Sequence, residues 1–460
     1  MSVRLYLEGL TRGKRVLVLG FGREGRSTLK ALLRDGQSGC IAVADANPIA
    51  DGVPDSVNLF VGSTYLDRVA DYDVVFAAPG VPLAAISSRF IATQRITSQA
   101  DVLMCACAEK TIAVTGTKGK STTSTIIHRM LQAAGKSSVL VGNIGKPAFD
   151  ELEALEQADV IVCELSSHQL TTVTRSPNVA VLLNLFPEHL DYYSSLDAYY
   201  QAKTAVFRYQ GPDDYLVLNA DSPECREMTT TALAKKLQFS HDDCQLDAWF
   251  DESSIHIQTD GGDIEVPHAC CELLGAFNMY NVMAAILATS RMAVVNRAVI
   301  EQALKGFTGL PDRMEYVSVV QGVTFINDSI STTPDTTCAA LSAFEASVGT
   351  LILGGQARPV ATERYERLAA MIRLYGVQHL IFLPQNGPAM RDILQRYFNN
   401  TGFTVCMHEV NDMVAAVETA LQYTAENYIC LLSPAAPSFG VYKDYTARGE
   451  HFRECIKSLA

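Results

Sequence analysis

Positive charge is scarce in this chain. Its 37 lysines and arginines face 50 aspartates and glutamates, a formal net charge of −13 over 460 residues. That balance excludes a general nucleic-acid binder, which needs a basic surface. It still allows small anionic ligands, because local cations and helix N-termini can hold them. Long apolar runs are also missing: no stretch approaches the ~20 residues of a membrane span. The opening MSVRLYLEGL has no extended apolar segment of the kind a secretion signal carries. A cytoplasmic protein without membrane attachment is expected. The 12 cysteines never show the C-x-x-C spacing of a zinc pair; Cys105 and Cys107 are separated by one residue, and Cys270 and Cys271 are adjacent. Reduced thiols are the expectation. No short-period repeat, low-complexity stretch or charged tail is evident.

What is present is the composition of an ordinary globular protein, 48% hydrophobic and 19% charged, long enough for about three domains. Apolar runs alternate with helical stretches in three blocks, a pattern that predicts α/β architecture with parallel sheets. The first block has strands at 15–20, 40–44 and 74–77 and a helix at 27–33. The second opens with a strand at 111–115. A helix follows with Ile126, Ile127, Met130, Leu131 and Ala134 on one face, stopped at Gly135. Further strands are predicted at 139–141, 160–163 and 179–183. Short alternating runs between 238 and 266 predict a small β hairpin region, and a helix covers 278–290. The third block has strands near 323–326, 350–353, 379–383 and 428–432.

The strongest motif is Gly116-Thr117-Lys118-Gly119-Lys120-Ser121-Thr122. It follows an apolar strand and opens a helix, the setting of a phosphate-binding loop. Glycines let backbone N–H groups approach phosphate oxygens, Lys120 neutralises the β/γ-phosphates, and Ser121 or Thr122 reaches Mg²⁺. The bland alternative is a Gly/Lys-rich surface turn. Glu164 directly follows the strand 160–163, a position suited to holding the metal; a lone carboxylate there would as readily cap a helix. His189 lies between acids in Asn184-Leu185-Phe186-Pro187-Glu188-His189-Leu190-Asp191 and is a candidate for metal or substrate, although a single histidine is more often structural. Gly20-Phe21-Gly22-Arg23-Glu24-Gly25, with Asp45 twenty residues on, reads as a dinucleotide fingerprint. A UDP diphosphate fits that turn as well as NAD does. These residues alone indicate a Mg-nucleotide enzyme with a second phosphate-bearing ligand and leave the reaction open.

In order along the chain, TGTKGKST, GNIGKP (142–147), ELSSHQL (164–170), EHLD (188–191), AYYQAK (198–203), GAFNMYN (275–281), FTGLPDRME (307–315), NDS (327–329) and LLSPAAPSF (431–439) resemble the Mur ligase family, in particular its glutamate-adding branch. The likeness spans nearly the whole chain. It implies three domains: a Rossmann-like UDP-substrate domain at 1–106, a P-loop ATPase domain with a parallel sheet and small β region at 107–313, and a Rossmann-like amino-acid domain at 314–460. It implies an ATP-dependent ligase that makes an amide between UDP-N-acetylmuramoyl-L-alanine and D-glutamate through an acyl phosphate, in peptidoglycan precursor synthesis. ATP would be held by Gly116 to Thr122, Asn278, Arg313 and Asp328. Two Mg²⁺ ions would be held by Ser121 or Thr122, Glu164, His189 and Lys203, the last as a carbamate, which supplies the anionic oxygen Mg²⁺ prefers. Lys120, His189 and Lys203 form the catalytic set. Arg23, Glu24, Asp45, Gly80, Asn143, Ser166 and Gln169 would hold the UDP substrate, and Thr332, Arg358, Ser438 and Tyr445 the glutamate. A monomer is expected.

Two positions depart from the family pattern. Ile330 in Asn327-Asp328-Ser329-Ile330-Ser331-Thr332-Thr333-Pro334, and Arg358 in Gly354-Gly355-Gln356-Ala357-Arg358, stand where lysines are usual. Lysine to arginine is not a neutral exchange. This form resembles a branch that adds L-glutamate and relies on a separate epimerase. A nicotinamide-dependent oxidoreductase using Gly20 to Gly25 would leave Lys120, Glu164, His189 and Lys203 unexplained.

Overall fold

The structure is a computed structural model and describes residues 1–35, 40–83, 86–186, 192–258, 262–273, 275–358 and 360–459. His189 and the rest of 187–191 therefore lie outside the described residues. The chain forms two compact units, Met1–Cys271 with Asn278–Lys305, and Glu272–Phe277 with Gly306–Ala460. Among the described residues no helix is long and apolar enough to cross a membrane.

The first unit holds two sheets. Strands β1 (Arg15–Leu19), β2 (Cys40–Asp45), β3 (Asn58–Val61), β4 (Val74–Ala77) and β5 (Arg95–Thr97) make an all-parallel sheet in the order β3-β2-β1-β4-β5. The central strands are apolar along their length because both faces are covered. The helix after β1 runs Arg23–Asp35, four residues earlier than apolar periodicity predicts. Its first turn, Arg23-Glu24-Gly25-Arg26, carries no apolar side chain, and the first apolar side chain it buries is Leu29.

The second sheet contains β6 (Thr111–Thr115), β7 (Ser138–Gly142), β8 (Val160–Glu164), β9 (Val179–Leu182), β10 (Tyr215–Asn219), β11 (Lys235–Ser240), β12 (Ala248–Phe250), β13 (Ser254–Ile257) and β14 (Ile264–Pro267), in the order β14-β13-β12-β11-β10-β9-β6-β8-β7. Only the pairings β12–β13 and β13–β14 are antiparallel. The small β region is thus an extension of the main sheet through β11–β12. The helix Lys120–Ala133 buries Ile126, Ile127, Met130 and Leu131 as predicted, whereas Ala134, the fifth residue expected on that face, is its C-cap and only half-buried. It ends at Gly135, whose φ of 74° lets Lys136 N–H reach Leu131 O at 2.9 Å. Apolar residues from both sheets join one contiguous core.

The second unit has a single sheet of β15 (Glu315–Val320), β16 (Val323–Asn327), β17 (Val348–Leu353), β18 (His379–Phe382), β19 (Cys406–Glu409) and β20 (Ile429–Leu432), in the order β15-β16-β20-β17-β18-β19. Only β15 runs antiparallel to its neighbour. Helices cover both faces and create two cores. In both units the carboxyl ends of parallel strands feed the loops that carry the candidate residues, the edge where such sheets hold ligands.

Candidate functional site

The loop between β6 and the helix Lys120–Ala133 needs its glycines. Gly116 has φ 153° and Gly119 φ 85°, and a Cβ on Gly119 would lie 2.3 Å from Asn281 Oδ1. Gly119 is the N-cap, so no side chain caps the helix. A helix N-terminus of this kind favours an anion. Lys120 Nζ curls back to donate to the carbonyls of Gly116 (3.0 Å) and Thr117 (2.9 Å). Lys203, 2% exposed on the helix Leu196–Thr204, donates to the same Gly116 oxygen at 2.8 Å. Two side chains 83 positions apart in sequence thus meet at one carbonyl. Tyr199, one turn before Lys203, has its hydroxyl 3.0 Å from Thr117 Oγ1.

Asn184, at the end of β9, clamps this loop. Its Oδ1 accepts from Lys118 N–H at 2.8 Å, its Nδ2 donates to Lys118 O at 3.1 Å, and its carbonyl accepts from Thr117 N–H at 2.9 Å. Asn281 supports the other side. It accepts from Thr123 Oγ1 at 3.2 Å and donates to Asn278 Oδ1 at 2.8 Å, which brings Asn278 beside the phosphate loop. Ser121 is buried and Thr122 half-buried in the first turn of the same helix.

Glu164 ends β8, next to β6, and is fully buried. Asn143 donates Nδ2 to Glu164 Oε1 at 2.7 Å and its N–H to Glu164 O at 3.0 Å. Glu164 Oε2 has no hydrogen-bond partner among the described residues. A buried carboxylate oxygen without a donor is costly, and a divalent cation is the partner that suits it. Among the described residues no cluster of three or more His, Cys, Asp or Glu is placed for a metal.

Asn143 also lines a cleft of about 500 Å³ with Gly20, Arg23, Glu24, Asp45 and Gly80. Five of the seven predicted UDP-substrate residues therefore share one cavity. Asp45 shapes it by accepting from Phe21 N–H at 2.7 Å and Asn47 N–H at 2.8 Å. Glu24 is joined to the second sheet by Gln169, whose Nε2 donates to Glu24 Oε1 at 2.6 Å. Burial pushes the Glu24 carboxyl up from its ordinary range, against the Gln169 donation and the Arg23 charge. Ser166 and Gln169 form a reciprocal cap on the short helix Ser167–Leu170 and support the wall rather than line it.

In the second unit the loops after β16, β20 and β17, three neighbouring strands, carry Thr332, then Ser438, then Arg358, and Tyr445 opens the helix that follows the loop after β20. Thr332 is half-buried, Ser438 buried, and Arg358 and Tyr445 exposed. Asp328 is buried, accepting from Ser433 Oγ at 2.8 Å and Met314 N–H at 3.3 Å. Arg313 is presented by a tight turn in which Asp312 and Met314 both have positive φ, 62° and 45°, a conformation costly for residues other than glycine. Asn184, Asn281 and Arg448 (described below) are parts of these sites that sequence reasoning missed. Asn184 was within reach, since it closes an apolar strand inside a quoted motif.

The profile of the Mur ligase middle domain matches residues 114–289, and that of the Mur ligase glutamate ligase domain matches 312–436. The UDP-N-acetylmuramoylalanine–D-glutamate ligase of Symbiobacterium thermophilum is 35% identical over 89% of this chain and 88% of its own length. The protein of the same name from Acetivibrio thermocellus is 33% identical, over 87% and 85%. Among solved structures, a pseudomurein peptide ligase type C from Methanothermus fervidus superposes with a TM-score of 0.58 at 16% identity, covering 97% of this chain and 100% of that one. The MurF ligase of Thermotoga maritima in complex with ADP gives 0.57 at 16%, covering 98% and 96%. Those two likenesses establish the fold alone. None of these relatives is an oxidoreductase.

Proposed function

The chain belongs to the Mur ligase family, and on that premise we propose that it forms, at the expense of ATP, the amide between UDP-N-acetylmuramoyl-L-alanine and glutamate. The observation that carries this reading is the meeting of Lys120 and Lys203 on the Gly116 carbonyl. It occurs at an uncapped helix N-terminus, next to the strand that ends in Glu164.

The terminal phosphoryl group of ATP passes to the alanyl carboxylate, leaving ADP and an acyl phosphate. The glutamate amine attacks the acyl carbon, and the tetrahedral adduct expels inorganic phosphate. Gly116 to Thr122 cradle the phosphates, and Lys120 exchanges its carbonyl partners for phosphate oxygens. Mg²⁺, held by Glu164 and the Ser121 or Thr122 hydroxyl, with a second ion at His189 and a carbamylated Lys203, would offset the phosphates' negative charge. Asn278, Arg313 and Asp328 complete the ATP contacts. Arg23, Glu24, Asp45, Gly80 and Asn143 hold the uridine diphosphate portion, with Ser166 and Gln169 behind them. Thr332, Arg358, Ser438 and Tyr445 receive the amino acid. The UDP-substrate group is drawn from domain 1–106 with Asn143, Ser166 and Gln169 added from domain 107–313, the ATP group from domain 107–313 with Asp328 added from domain 314–460, and the amino-acid group from domain 314–460. The protein works as a cytoplasmic monomer.

D-Glutamate is the amine we assign, as in the names of the relatives. A second reading, L-glutamate, is favoured by Ile330 and Arg358, which replace the lysines usual in the family. The deciding experiment is phosphate release from ATP with UDP-N-acetylmuramoyl-L-alanine and each glutamate enantiomer. Release with the D form supports the assignment, and release with the L form alone moves it to the second reading. No release with either would overturn the function.

A further inference from the structure

Arg448 is a buried cation that the reaction as described does not use. It is 1% exposed and lies one turn into the helix Tyr445–Lys457. Its Nε donates to Ser329 Oγ at 3.0 Å, Nη2 to Ser329 O at 2.8 Å, and Nη1 to Ala436 O at 3.0 Å. All three acceptors are neutral oxygens, and they belong to two different loops. Burial lowers its pKa to about 10, which still leaves the guanidinium charged near neutral pH. Desolvating such a group is expensive, so a charged fork kept in the interior points to a task beyond filling space.

The acceptors indicate what the guanidinium does. Ser329 is three residues before Thr332, and Ala436 two before Ser438. The Ser329 hydroxyl passes the contact on, donating to Tyr445 O at 2.8 Å. A third loop rests on the same group. A Cβ on Gly355, three residues before Arg358, would lie 2.9 Å from Arg448 Nη1 and 2.3 Å from Pro437 O, and Gln356 N–H donates to Pro437 O at 2.7 Å. One planar fork thus underlies the loops after β16, β20 and β17.

We propose that Arg448 is the positioning residue of the amino-acid pocket, holding the loops that carry Thr332, Arg358 and Ser438 in the arrangement that receives the incoming amine. This inference rests on the glutamate-ligase reading above. Lysine cannot substitute, because a single ammonium on a flexible stem does not reproduce a rigid fork aimed at three oxygens.

The test is steady-state ligation by the full chain, wild type against Arg448→Lys and Ser329→Ala, varying each of the three substrates in turn. Displacing a binding group by about 1 Å costs up to about 100-fold. Arg448→Lys is therefore expected to raise KM for glutamate at least about tenfold, with KM for ATP and for the UDP substrate within about twofold of wild type. Ser329→Ala, which removes one acceptor and the tether to Tyr445, should move glutamate KM the same way by less. Unchanged glutamate KM in both folded variants overturns the proposal. So does a parallel change in all three KM values and kcat, the mark of a merely structural role. If Arg448→Lys does not fold, Ser329→Ala decides alone. A wild type that ligates no glutamate refutes the functional reading itself, whereas an active wild type with unmoved variants refutes only the role of Arg448.

Discussion

Glu164 has one oxygen satisfied by Asn143 and the other by nothing among the described residues. Glutamine at this position would keep the Asn143 contact and lose the buried charge. Glu164→Gln is expected to stabilise the metal-free protein, because a neutral amide costs less to bury than a carboxylate, read as a higher urea midpoint. The same variant should need at least about tenfold more Mg²⁺ for half-maximal phosphate release. A variant less stable than wild type in chelator would show that Oε2 is paired after all. Lys120 predicts a different separation. Lys120→Ala should lower kcat by about 10²–10³-fold and leave binding of the UDP substrate unchanged by calorimetry, since Lys120 does not line that cleft. At this scale the sequence was most legible where glycine spacing and a charged residue fall together, as in Gly116 to Lys120. Arg448 was invisible because its partners Ser329 and Ala436 belong to other loops, and Asn281, although inside a quoted motif, gave no sign of its bond to Thr123, since no local pattern marks a polar group that will be buried.

Strands with a continuous apolar run, such as β6 and β4, were placed within a residue of their ends. Of those not foreseen, four are edges or short polar segments: β3 and β19 are largely exposed, β5 has three residues, and β15 alternates weakly; β10 is different, an interior strand with a buried apolar centre that the sequence reading passed over. The pairing of those four comes from the neighbouring strand rather than from their own composition. β19 nevertheless carries a testable feature. His379 Nδ1 and His408 Nε2 are 3.3 Å apart, and the ring of Tyr423 stacks on His408 at 4.5 Å. Burial lowers the pKa of both histidines in the folded state, and for His379 the charge of His408 adds to the effect. A histidine kept neutral by folding contributes stability above its unfolded pKa and loses it as pH falls through the folded value. The urea midpoint of the second unit should therefore drop between pH 7.5 and pH 5. His408→Phe should flatten that slope. A slope unaltered in the variant would assign the pH dependence elsewhere.

At the scale of the whole molecule, the first two sheets are less separable than a count of motifs suggests. They share one apolar core, and the helix Gln99–Cys107 that links them contributes Val102, Leu103 and Met104 to it. Asp101 in that helix is fully buried. It accepts from Arg95 Nη2 (2.6 Å), Thr97 Oγ1 (2.8 Å), Thr174 N–H (2.9 Å) and Thr174 Oγ1 (2.6 Å), so it ties the end of β5 to a loop of the second sheet. Asp101→Ala is expected to cost several kcal/mol, at about 1–3 kcal/mol for each buried donor left without an acceptor. It should split the calorimetric unfolding of the first unit into two transitions where wild type shows one. The number and type of blocks were legible from alternating strands and helices. The shared core was not, because nothing in a linear pattern says which two faces will be pressed together.

That continuous core bears on how such proteins can be cut and recombined. A fragment ending near residue 106 would carry Val102, Leu103 and Met104 into water with nothing to cover them, and would precipitate rather than fold. Grafting the nucleotide-sugar half of a relative onto this chain would succeed only if the splice moved the linking helix together with the face it rests on. Inheritance of new acceptor specificities by shuffling is accordingly harder at this seam than at a flexible hinge, and point changes in the cleft are the easier route.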